Sequence, residues 1–177
     1  YHMLVTLAGL KKGETVLVHG AGSGVGSAAI QWARHVGARS ITTAGSDEKL
    51  QKAKKLGAWG LINYKTADVA EVVKRLTRGK GVDVVFEHIG PETWDGSLSS
   101  LRKGGRLVTC GATTGAKVEL ELRHLYVKQL SIRGSYMGHD PELRKVMRLV
   151  ASGKVKPVVD STFPLKEARK AHETMES

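Results

Sequence analysis

The sequence predicts an α/β fold with a doubly wound, parallel, six-stranded sheet, and three observations support this prediction. Segments typical of strands alternate with segments typical of helices along the 177 residues. The strand segments are nearly continuous apolar runs, which is typical of strands that are covered on both faces. The stretch VLVHGAGSGVGSAAIQWAR, residues 16–34, places four glycines within seven residues between the first strand and the first helix. Such alternation predicts right-handed crossovers between neighbouring parallel strands.

Six short segments, the third of them the weakest, carry the strand pattern. They are TVLVHG (15–20), RSITTAG (39–45), GLINY (60–64), GVDVVFEHIG (81–90), RLVTCGA (106–112) and LSIRGS (130–135). Because glycine punctuates the sequence at regular intervals and no internal repeat or linker is visible, residues 1–177 are predicted to form one domain.

Helix signals stand between the strands. After the second strand, Ser46 is a predicted cap for SDEKLQKAKKLG, and Gly57 is its predicted end. Asp68, followed three residues later by Glu71, predicts a capping box for DVAEVVKRLTRG. These two segments therefore fit the helical crossovers of a parallel sheet.

The later helices have equally local signals. Gly90 and Pro91 open a short helix. Asp140 as cap and Pro141 as first residue open PELRKVMRLVASG, which Gly153 ends. A final helix is predicted in LKEARKAHETMES.

Cysteine usage and hydropathy predict a cytoplasmic protein. The single cysteine, Cys110, has no partner for an internal disulfide, which favours a reducing compartment. The first residues, YHMLVTLAGLKKGE, do not resemble a signal peptide, and no apolar run reaches about 18 residues. We therefore expect neither secretion nor membrane insertion.

The net charge of +11 raises the question of an anionic partner such as nucleic acid. The basic residues are spread over segments such as EKLQKAKK and ELRKVMR, where a solvated helix face explains them. Aromatic residues form only 5% of the chain and do not alternate with the basic ones, which disfavours base stacking. A nucleotide-binding or RNA-binding module without catalysis stays an alternative, although a nucleic-acid partner is not expected.

The glycine-rich junction predicts a site for a phosphorylated ligand, most simply a dinucleotide. Backbone N–H groups at a helix N-terminus attract anions, and a loop without side chains lets a pyrophosphate approach. The residues concerned are Gly22, Ser23, Gly24, Val25 and Gly26. The pattern does not match a strict G-x-G-x-x-G, because Ser27 stands at its last position, so close packing between helix and sheet is the competing explanation.

Two other phosphate-binding classes fit the sequence less well. The Lys and Ser/Thr of an ATP-binding P-loop do not follow the glycines. An S-adenosylmethionine-dependent methyltransferase usually has acidic residues before the glycines and after the second strand, where His19 and Ala44 stand here. The sequence therefore predicts a Rossmann fold that binds a dinucleotide.

The end of the second strand favours NADP(H) over NAD(H). NAD-binding domains place a carboxylate about 20 residues after the glycines, to accept hydrogen bonds from the ribose. Here Ala44 and Gly45 stand near that place, and the residues predicted to surround a 2′-phosphate are Ser46, Lys49, Tyr64 and Lys65. Asp47 is the counter-argument, because its carboxylate also lies close to that position. Two alternatives stay open: Ser46 serves only as a helix cap, and Lys49 is only a solvated cation.

Isolated reactive side chains do not predict a catalytic or metal site. Cys110 has no base nearby in the sequence, and a packing role is favoured. His19 is interpreted as structural, and the other histidines show no spacing typical of metal ligands. The Tyr-x-x-x-Lys pair of short-chain reductases is absent.

Five blocks in order, VLVHGAGSGVGSAAIQWAR, KLGAWGLINYK, GVDVVFEHIG, LRKGGRLVTCGATTG and LSIRGSYMG, resemble the cofactor domain of medium-chain dehydrogenases/reductases. This superfamily includes zinc-type alcohol dehydrogenases and quinone oxidoreductases. The resemblance implies that residues 22–26 bind the pyrophosphate and that Ser46, Lys49 and Tyr64 surround the 2′-phosphate. It also implies ribose or adenine contacts from Ile89 and Gly90, and nicotinamide contacts from a further group: Cys110, Gly111, Ala112, Ser135, Tyr136 and Met137.

Two departures from the family pattern stand close to the expected site. Ser23 occupies a position where many relatives have glycine, so that its side chain either crowds the phosphate or donates a hydroxyl to it. Glu87 and His88 stand where relatives often have an aspartate and a small or polar residue. The ribose contacts of this chain are therefore expected to differ from those of relatives.

The resemblance also implies what the whole enzyme does. Such an enzyme transfers hydride between the nicotinamide and a carbonyl, alcohol or conjugated alkene. Its separate N-terminal catalytic domain, expected to be absent from this chain, carries the substrate site and any zinc ligands. Members dimerise through the edge strand, here the segment that begins at Leu130 and ends at Met137.

Overall fold

The strands form a single parallel sheet in a computed structural model, which describes residues 1–176. The strands are β1 (Thr15–Val18), β2 (Arg39–Ala44), β3 (Gly60–Asn63), β4 (Val82–Glu87), β5 (Leu101–Thr109) and β6 (Ser131–Gly134). Their order across the sheet is β3-β2-β1-β4-β5-β6, and every neighbouring pair is parallel. The predicted doubly wound Rossmann fold is confirmed.

Helices connect the strands and cover the sheet. They are α1 (Gly24–Val36), α2 (Asp47–Leu56), α3 (Val69–Leu76), α4 (Pro91–Ser100), α5 (Leu122–Lys128), α6 (Asp140–Ala151) and α7 (Ala168–Glu176). A π-helical turn (His2–Leu7) precedes β1, and a 3₁₀ turn (Leu165–Glu167) precedes α7. None of the helices in residues 1–176 is long and apolar enough to cross a membrane.

The strand order places a switch point in the middle of the sheet. From β1 the chain winds outward through β2 and β3, and it then returns to the other side of β1 for β4, β5 and β6. In open α/β sheets of this kind, ligands bind beyond the carboxyl ends of the strands at the point where the winding reverses. The junction of β1 and α1 lies at this point.

The core lies on both faces of the sheet, as the continuous apolar runs predict. Val16 and Val18 of β1 pack in a cluster with Ile30 of α1, whereas Leu17 packs in the opposite cluster with Val73 of α3. All five side chains are fully buried. Because successive residues of a strand point to opposite faces, this partition shows that β1 is central and covered on both sides.

Several local signals have the predicted outcome. The side chain of Ser46 caps α2, Gly57 ends this helix with a φ of 110°, and Asp68 caps α3 by accepting a hydrogen bond from the N–H of Glu71. The predicted start of α6 is wrong by one residue, since His139 is the cap and Asp140 the first helical residue. Pro141 is therefore the second helical residue, a position at which the first turn still needs no N–H.

Strand β5 differs from its prediction at both ends. It begins at Leu101 rather than at residue 106, and it ends at Thr109, before Cys110. The pairing with β4 shifts register between Val82 and Val84, and Gly104 within β5 has a φ of 71°. This irregularity interrupts the apolar pattern and hides the first half of the strand from sequence analysis.

Helix α5 was not predicted. None of its residues is buried, and Leu122 and Tyr126 are about two-thirds exposed. A side chain anchors its end, since the Lys128 ammonium donates to the carbonyls of Ser99 and Leu101 at 3.2 and 3.1 Å. A helix held in this way packs no apolar stripe against the core, so its sequence lacks the amphipathic pattern from which helices are predicted.

Candidate functional site

The loop between β1 and α1 is closed by hydrogen bonds of its own. Ser23 is the N-cap of α1: its hydroxyl accepts from the N–H of Gly26 at 2.9 Å and donates to the carbonyl of Gly20 at 2.8 Å. The N–H of Ser23 donates to the same carbonyl at 2.9 Å. The Ser23 hydroxyl is thus engaged by the carbonyl of Gly20 and the N–H of Gly26, and its contact with a phosphate stays a prediction.

Three of the five N–H groups predicted to face a phosphate stay free. Those of Ser23 and Gly26 are engaged inside the loop. Those of Gly22, Gly24 and Val25 make no hydrogen bond to any residue in the range 1–176. They stand at the positive end of the α1 dipole, where an anion is stabilised.

The glycines of this loop differ in what a side chain would meet at each position. A Cβ at Gly26 would stand 2.1 Å from the carbonyl oxygen of Gly20, so close backbone packing requires this glycine. A Cβ at Gly24 would meet no atom within 4 Å, and one at Gly22 would meet only the Lys49 side chain, at 3.5 Å. The packing explanation thus holds for Gly26 but not for Gly24, whose bare backbone faces open space.

Polar groups beyond β2 gather around Gly45. A Cβ at Gly45 would stand 2.7 Å from the Tyr64 hydroxyl and 3.3 Å from Cε of Lys65. The Lys49 side chain lies beside the glycine loop, since a Cβ at Gly22 would stand 3.5 Å from its Cδ. Of the side chains predicted for a 2′-phosphate, Tyr64 and Lys65 therefore meet at Gly45, and Lys49 lies beside Gly22.

Asp47, the carboxylate that could accept hydrogen bonds from the ribose of NAD, has a hydrogen-bond partner within the protein. Its Oδ1 accepts a hydrogen bond from Nδ2 of Asn63 at 3.0 Å, which ties the start of α2 to the end of β3. This carboxylate oxygen is therefore directed toward β3.

Two cavities each include a residue of the stretch between β1 and α1 or of the first turn of α1. The first, of about 450 Å³, is lined by His19, Gly20, Thr43, Tyr64, Ala67, Asp68, Val69, Ala70, Ile89, Glu92, Thr93 and Gly96. The second, of about 580 Å³, includes Val25, Phe86, Cys110, Ser135 and Met137, together with parts of the π-helical turn and of α6. Gly20 lines the first cavity and Val25 the second, so each cavity reaches the segment that carries the free N–H groups.

The predicted site residues divide between these cavities. Tyr64 and Ile89 line the first, whereas Val25, Cys110, Ser135 and Met137 line the second.

The other predicted residues do not line these two cavities. Gly111 packs against the carbonyl of His88, and a Cβ at Gly90 would meet the Cα of Ala112 at 3.5 Å, so both serve close packing between the two strand ends. Tyr136 is 90% exposed.

A buried polar cluster below the first cavity was missed. The carboxylate of Glu87, at the end of β4, is fully buried. Its Oε1 accepts from the N–H groups of Ile89 and Gly90 at 2.6 and 3.2 Å, and its Oε2 accepts from the hydroxyls of Ser97 and Thr93 at 2.7 and 2.8 Å. Burial alone raises the pKa of Glu87, but His19 and these donors outweigh it, so the pKa lies below its ordinary value.

His19 belongs to the same cluster and is 2% exposed. Its Nε2 lies 2.9 Å from the Ser97 hydroxyl, and its Nδ1 lies 3.4 Å from that of Thr43. Burial lowers the pKa of His19 to about 4, against the opposing effect of Glu87, so the ring is neutral at pH 7. The structural role predicted for His19 agrees with this geometry.

Cys110 is exposed at the rim of the second cavity rather than packed in the core, because β5 ends one residue before it. Desolvation and the charge of Glu87 raise the pKa of the Cys110 thiol. A thiol that stays protonated is a weak nucleophile, in agreement with the prediction against that role.

A family model described as zinc-binding dehydrogenase matches residues 24–152, which is more than half of the chain. The chain belongs to the zinc-binding dehydrogenase family. The resemblance derived from the sequence blocks is thereby confirmed.

The chain spans just over half the length of the relatives described next. It is 39% identical over 189 residues to quinone oxidoreductase 1 of Escherichia coli, covering 100% of this chain and 58% of that protein. The crystal structure of an E. coli quinone oxidoreductase complexed with NADPH matches with a TM-score of 0.85 and 38% identity, over 99% of this chain and 57% of the other. An NAD-dependent alcohol dehydrogenase matches with a TM-score of 0.93 and 43% identity, over 99% and 51%.

The family name raises the question of zinc. Within residues 1–176, no group of three His, Cys, Asp or Glu side chains is arranged to hold a metal ion. The described residues therefore do not fit a zinc ion.

Proposed function

We propose that this chain is the NADP(H)-binding domain of a medium-chain oxidoreductase that transfers hydride between nicotinamide and a carbonyl, alcohol or conjugated alkene. One observation carries the proposal. The free N–H groups of Gly22, Gly24 and Val25 stand at the positive end of α1, and beside them the backbone of Gly24 faces open space. A pyrophosphate fits there without meeting a side chain.

The cofactor is proposed to extend in both directions from the glycine loop. Its adenosine part occupies the first cavity, beside Tyr64 and Ile89, and Gly90 follows Ile89 in the turn after β4. Its nicotinamide part occupies the second cavity, where Cys110, Ser135 and Met137 are lining residues. Gly111, Ala112 and Tyr136 complete the proposed cofactor-binding set.

The preference for NADP(H) rests on charge. We place the 2′-phosphate among Lys49, which lies beside Gly22, Tyr64 and Lys65, which lie beside Gly45, and Ser46 at the start of α2. Asp47 hydrogen-bonds to Asn63. The NADPH complex of the E. coli quinone oxidoreductase supports this preference, whereas the similar alcohol dehydrogenase is described as NAD-dependent. Direct measurement of both cofactors decides between them.

The division of labour follows from this assignment. Bound NADP(H) supplies the hydride, and the residues of this chain bind and orient the cofactor. We propose that a separate N-terminal catalytic domain carries the substrate site and any zinc ligands, so that residues 1–177 alone bind cofactor without turnover. We place the enzyme in the cytoplasm, because Cys110 is a free thiol.

Lys49→Ala is expected to weaken NADPH binding about tenfold and to leave NADH binding within about twofold, since only NADPH has the phosphate that this ammonium contacts. Isothermal titration calorimetry at fixed salt measures both constants. Lys52→Ala is the matched control, because Lys52 lies on the same helix but pairs with Glu48 at 3.1 Å. Equal affinity of the wild type for both cofactors would contradict the 2′-phosphate site, and binding of neither would contradict the proposed function.

We also propose that two copies pair through the edge strand β6, in the segment from Leu130 to Met137. Strand β6 ends the sheet, and its outer edge has no strand partner within residues 1–176. An unpaired edge is a template for a second copy. Light scattering is expected to give twice the chain mass of 19.1 kDa, unchanged across a dilution series at micromolar concentrations. A monomeric mass at all concentrations contradicts this interface.

A further inference from the structure

A chain of hydrogen bonds runs below the first cavity, from the glycine loop to Glu87. The N–H of Gly20 lies 3.2 Å from the Thr43 hydroxyl, and that hydroxyl lies 3.4 Å from Nδ1 of His19. On the other side of the ring, Nε2 lies 2.9 Å from the Ser97 hydroxyl, which lies 2.7 Å from the Glu87 carboxylate. All four side chains are at most 2% exposed.

The Glu87 carboxylate fixes the direction of the hydrogen bonds as far as Nε2 of His19, and the Gly20 N–H fixes the bond at the other end. An amide N–H only donates, so Thr43 accepts from Gly20, and an ionised carboxylate only accepts, so Ser97 donates to Glu87. Having donated its single proton, Ser97 accepts from Nε2–H of His19. Burial lowers the pKa of His19 to about 4, so at pH 7 the ring carries only this one proton, and Nδ1 accepts from the Thr43 hydroxyl. The hydrogen bonds and the burial together therefore give a neutral His19 with its proton on Nε2.

Glu87 also holds the turn that follows β4. Its other oxygen accepts from the N–H groups of Ile89 and Gly90. His88, which lies between Glu87 and Ile89 in the sequence, donates from Nε2 to the carbonyl of His19 at 3.0 Å. One carboxylate thus connects the carboxyl ends of β1, β2 and β4, and His19, Thr43 and Ile89 line the first cavity.

We propose that ionised Glu87 is a positioning residue for the cofactor, which sets the hydrogen-bond direction from Gly20 to the 88–90 turn and so holds the first cavity and the glycine loop in their binding arrangement. This inference rests on the proposed cofactor binding. Glu87 does not contact the ligand; it acts through His19, Thr43 and the backbone of Ile89 and Gly90.

Glu87→Gln tests the direction of these hydrogen bonds, because the substitution hardly changes the volume of the side chain. The amide oxygen of the new side chain accepts from the N–H groups of Ile89 and Gly90, so its NH₂ group is left facing Ser97 and Thr93. Ser97 then accepts instead of donating, and its proton turns toward Nε2 of His19. His19 is expected to shift its proton from Nε2 to Nδ1, a change that loss of packing alone would not produce.

The experiment measures ¹⁵N and ¹³C shifts of His19 at pH 7 and the NADPH dissociation constant, in the full chain. The wild type is expected to show the Nε2–H tautomer, and Glu87→Gln to show mainly Nδ1–H with about tenfold weaker NADPH binding. Ser97→Ala keeps the contacts of Glu87 with Ile89 and Gly90. His19 of this variant is expected to show a mixture of both neutral tautomers, and NADPH binding is expected to weaken less than in Glu87→Gln. Asp95→Asn removes an exposed carboxylate from the same helix and serves as the control.

The outcomes separate this inference from the proposed function. A wild-type His19 with its proton on Nδ1, or protonated on both nitrogens, overturns the inference without any variant and without cofactor. NADPH affinity in Glu87→Gln equal to that of the wild type overturns it as well. If the wild type shows the Nε2–H tautomer but binds no NADPH, the proposed function fails and with it the positioning role. If Glu87→Gln does not fold, the wild-type tautomer and Ser97→Ala still decide.

Discussion

Gly26→Ala is expected to lower the free energy of unfolding by about 3 kcal/mol, at the upper end of what overpacking in a core costs. The new Cβ would stand 2.1 Å from the carbonyl oxygen of Gly20 and 2.9 Å from Oγ of Ser23. Gly20 O and the Ser23 side chain form the cap of α1, so the clash cannot be relieved by turning a flexible side chain. The start of α1 has to move away from β1, and the free N–H groups at Gly22 and Gly24 move with it.

Gly24→Ala provides the matched comparison, since it adds the same methyl group two residues earlier. Its Cβ meets no atom within 4 Å, so the stability is expected to change by less than about 1 kcal/mol. NADPH binding is nevertheless expected to weaken about tenfold, because the methyl group fills the space in front of the N–H groups that bind the pyrophosphate. Urea unfolding followed by circular dichroism, together with calorimetric titration, distinguishes the two variants.

The expected result is thus a separation: Gly26→Ala loses stability, and Gly24→Ala loses affinity. Unchanged stability in Gly26→Ala would show that the loop relaxes without cost. Unchanged affinity in Gly24→Ala would remove the ligand-based reason for this glycine and favour the packing explanation for the whole loop.

The sequence predicts those features that depend on nearby residues. The cap at Ser46 and the end at Gly57 follow from contacts within four positions, which a sequence window contains. The buried strands follow from apolar runs whose burial on both faces the topology requires. By contrast, the hydroxyl proton of Ser23 has two candidate acceptors, a phosphate or the carbonyl of Gly20, and the sequence alone does not show that it donates to Gly20.

The buried cluster could not be predicted, for a physical reason. Ser97 lies ten positions after Glu87, and His19 lies 78 positions before Ser97, so only the β1–β4 pairing brings them together. The single signal in the sequence is a carboxylate at the end of the apolar run VDVVFE, a residue that needs several donors if it is buried. That signal indicates an unusual site but does not name its partners.

The free energy of unfolding is expected to fall by about 3 kcal/mol between pH 6.5 and pH 4 because of His19. Above pH 6.5 the imidazole is neutral in both the folded and the unfolded chain. Burial lowers the folded pKa to about 4 from an ordinary value of 6.5, so only the unfolded chain takes up the proton as the pH falls through this window. Each pH unit then costs about 1.4 kcal/mol, and below pH 4 the loss from this residue stops.

His19→Gln isolates this contribution, since its amide can donate to Ser97 and accept from Thr43 but does not titrate. The variant is expected to be less stable at pH 7, and its free energy of unfolding is expected not to change with pH between pH 6.5 and pH 4 because of residue 19. Urea unfolding at closely spaced pH values measures this.

Glu142 titrates in a separate pH window. Hydrogen bonds from Thr6, His139 and His2 lower its pKa to about 2, so its contribution to stability is lost only as the pH falls from 4.5 toward 2. A slope between pH 6.5 and pH 4 that persists in His19→Gln would show that other groups carry the proton uptake. Because protonation of His19 would put an N–H on Nδ1, which would donate to the Thr43 hydroxyl and so reverse the bond between these two side chains, NADPH affinity is expected to decline as the pH approaches 4.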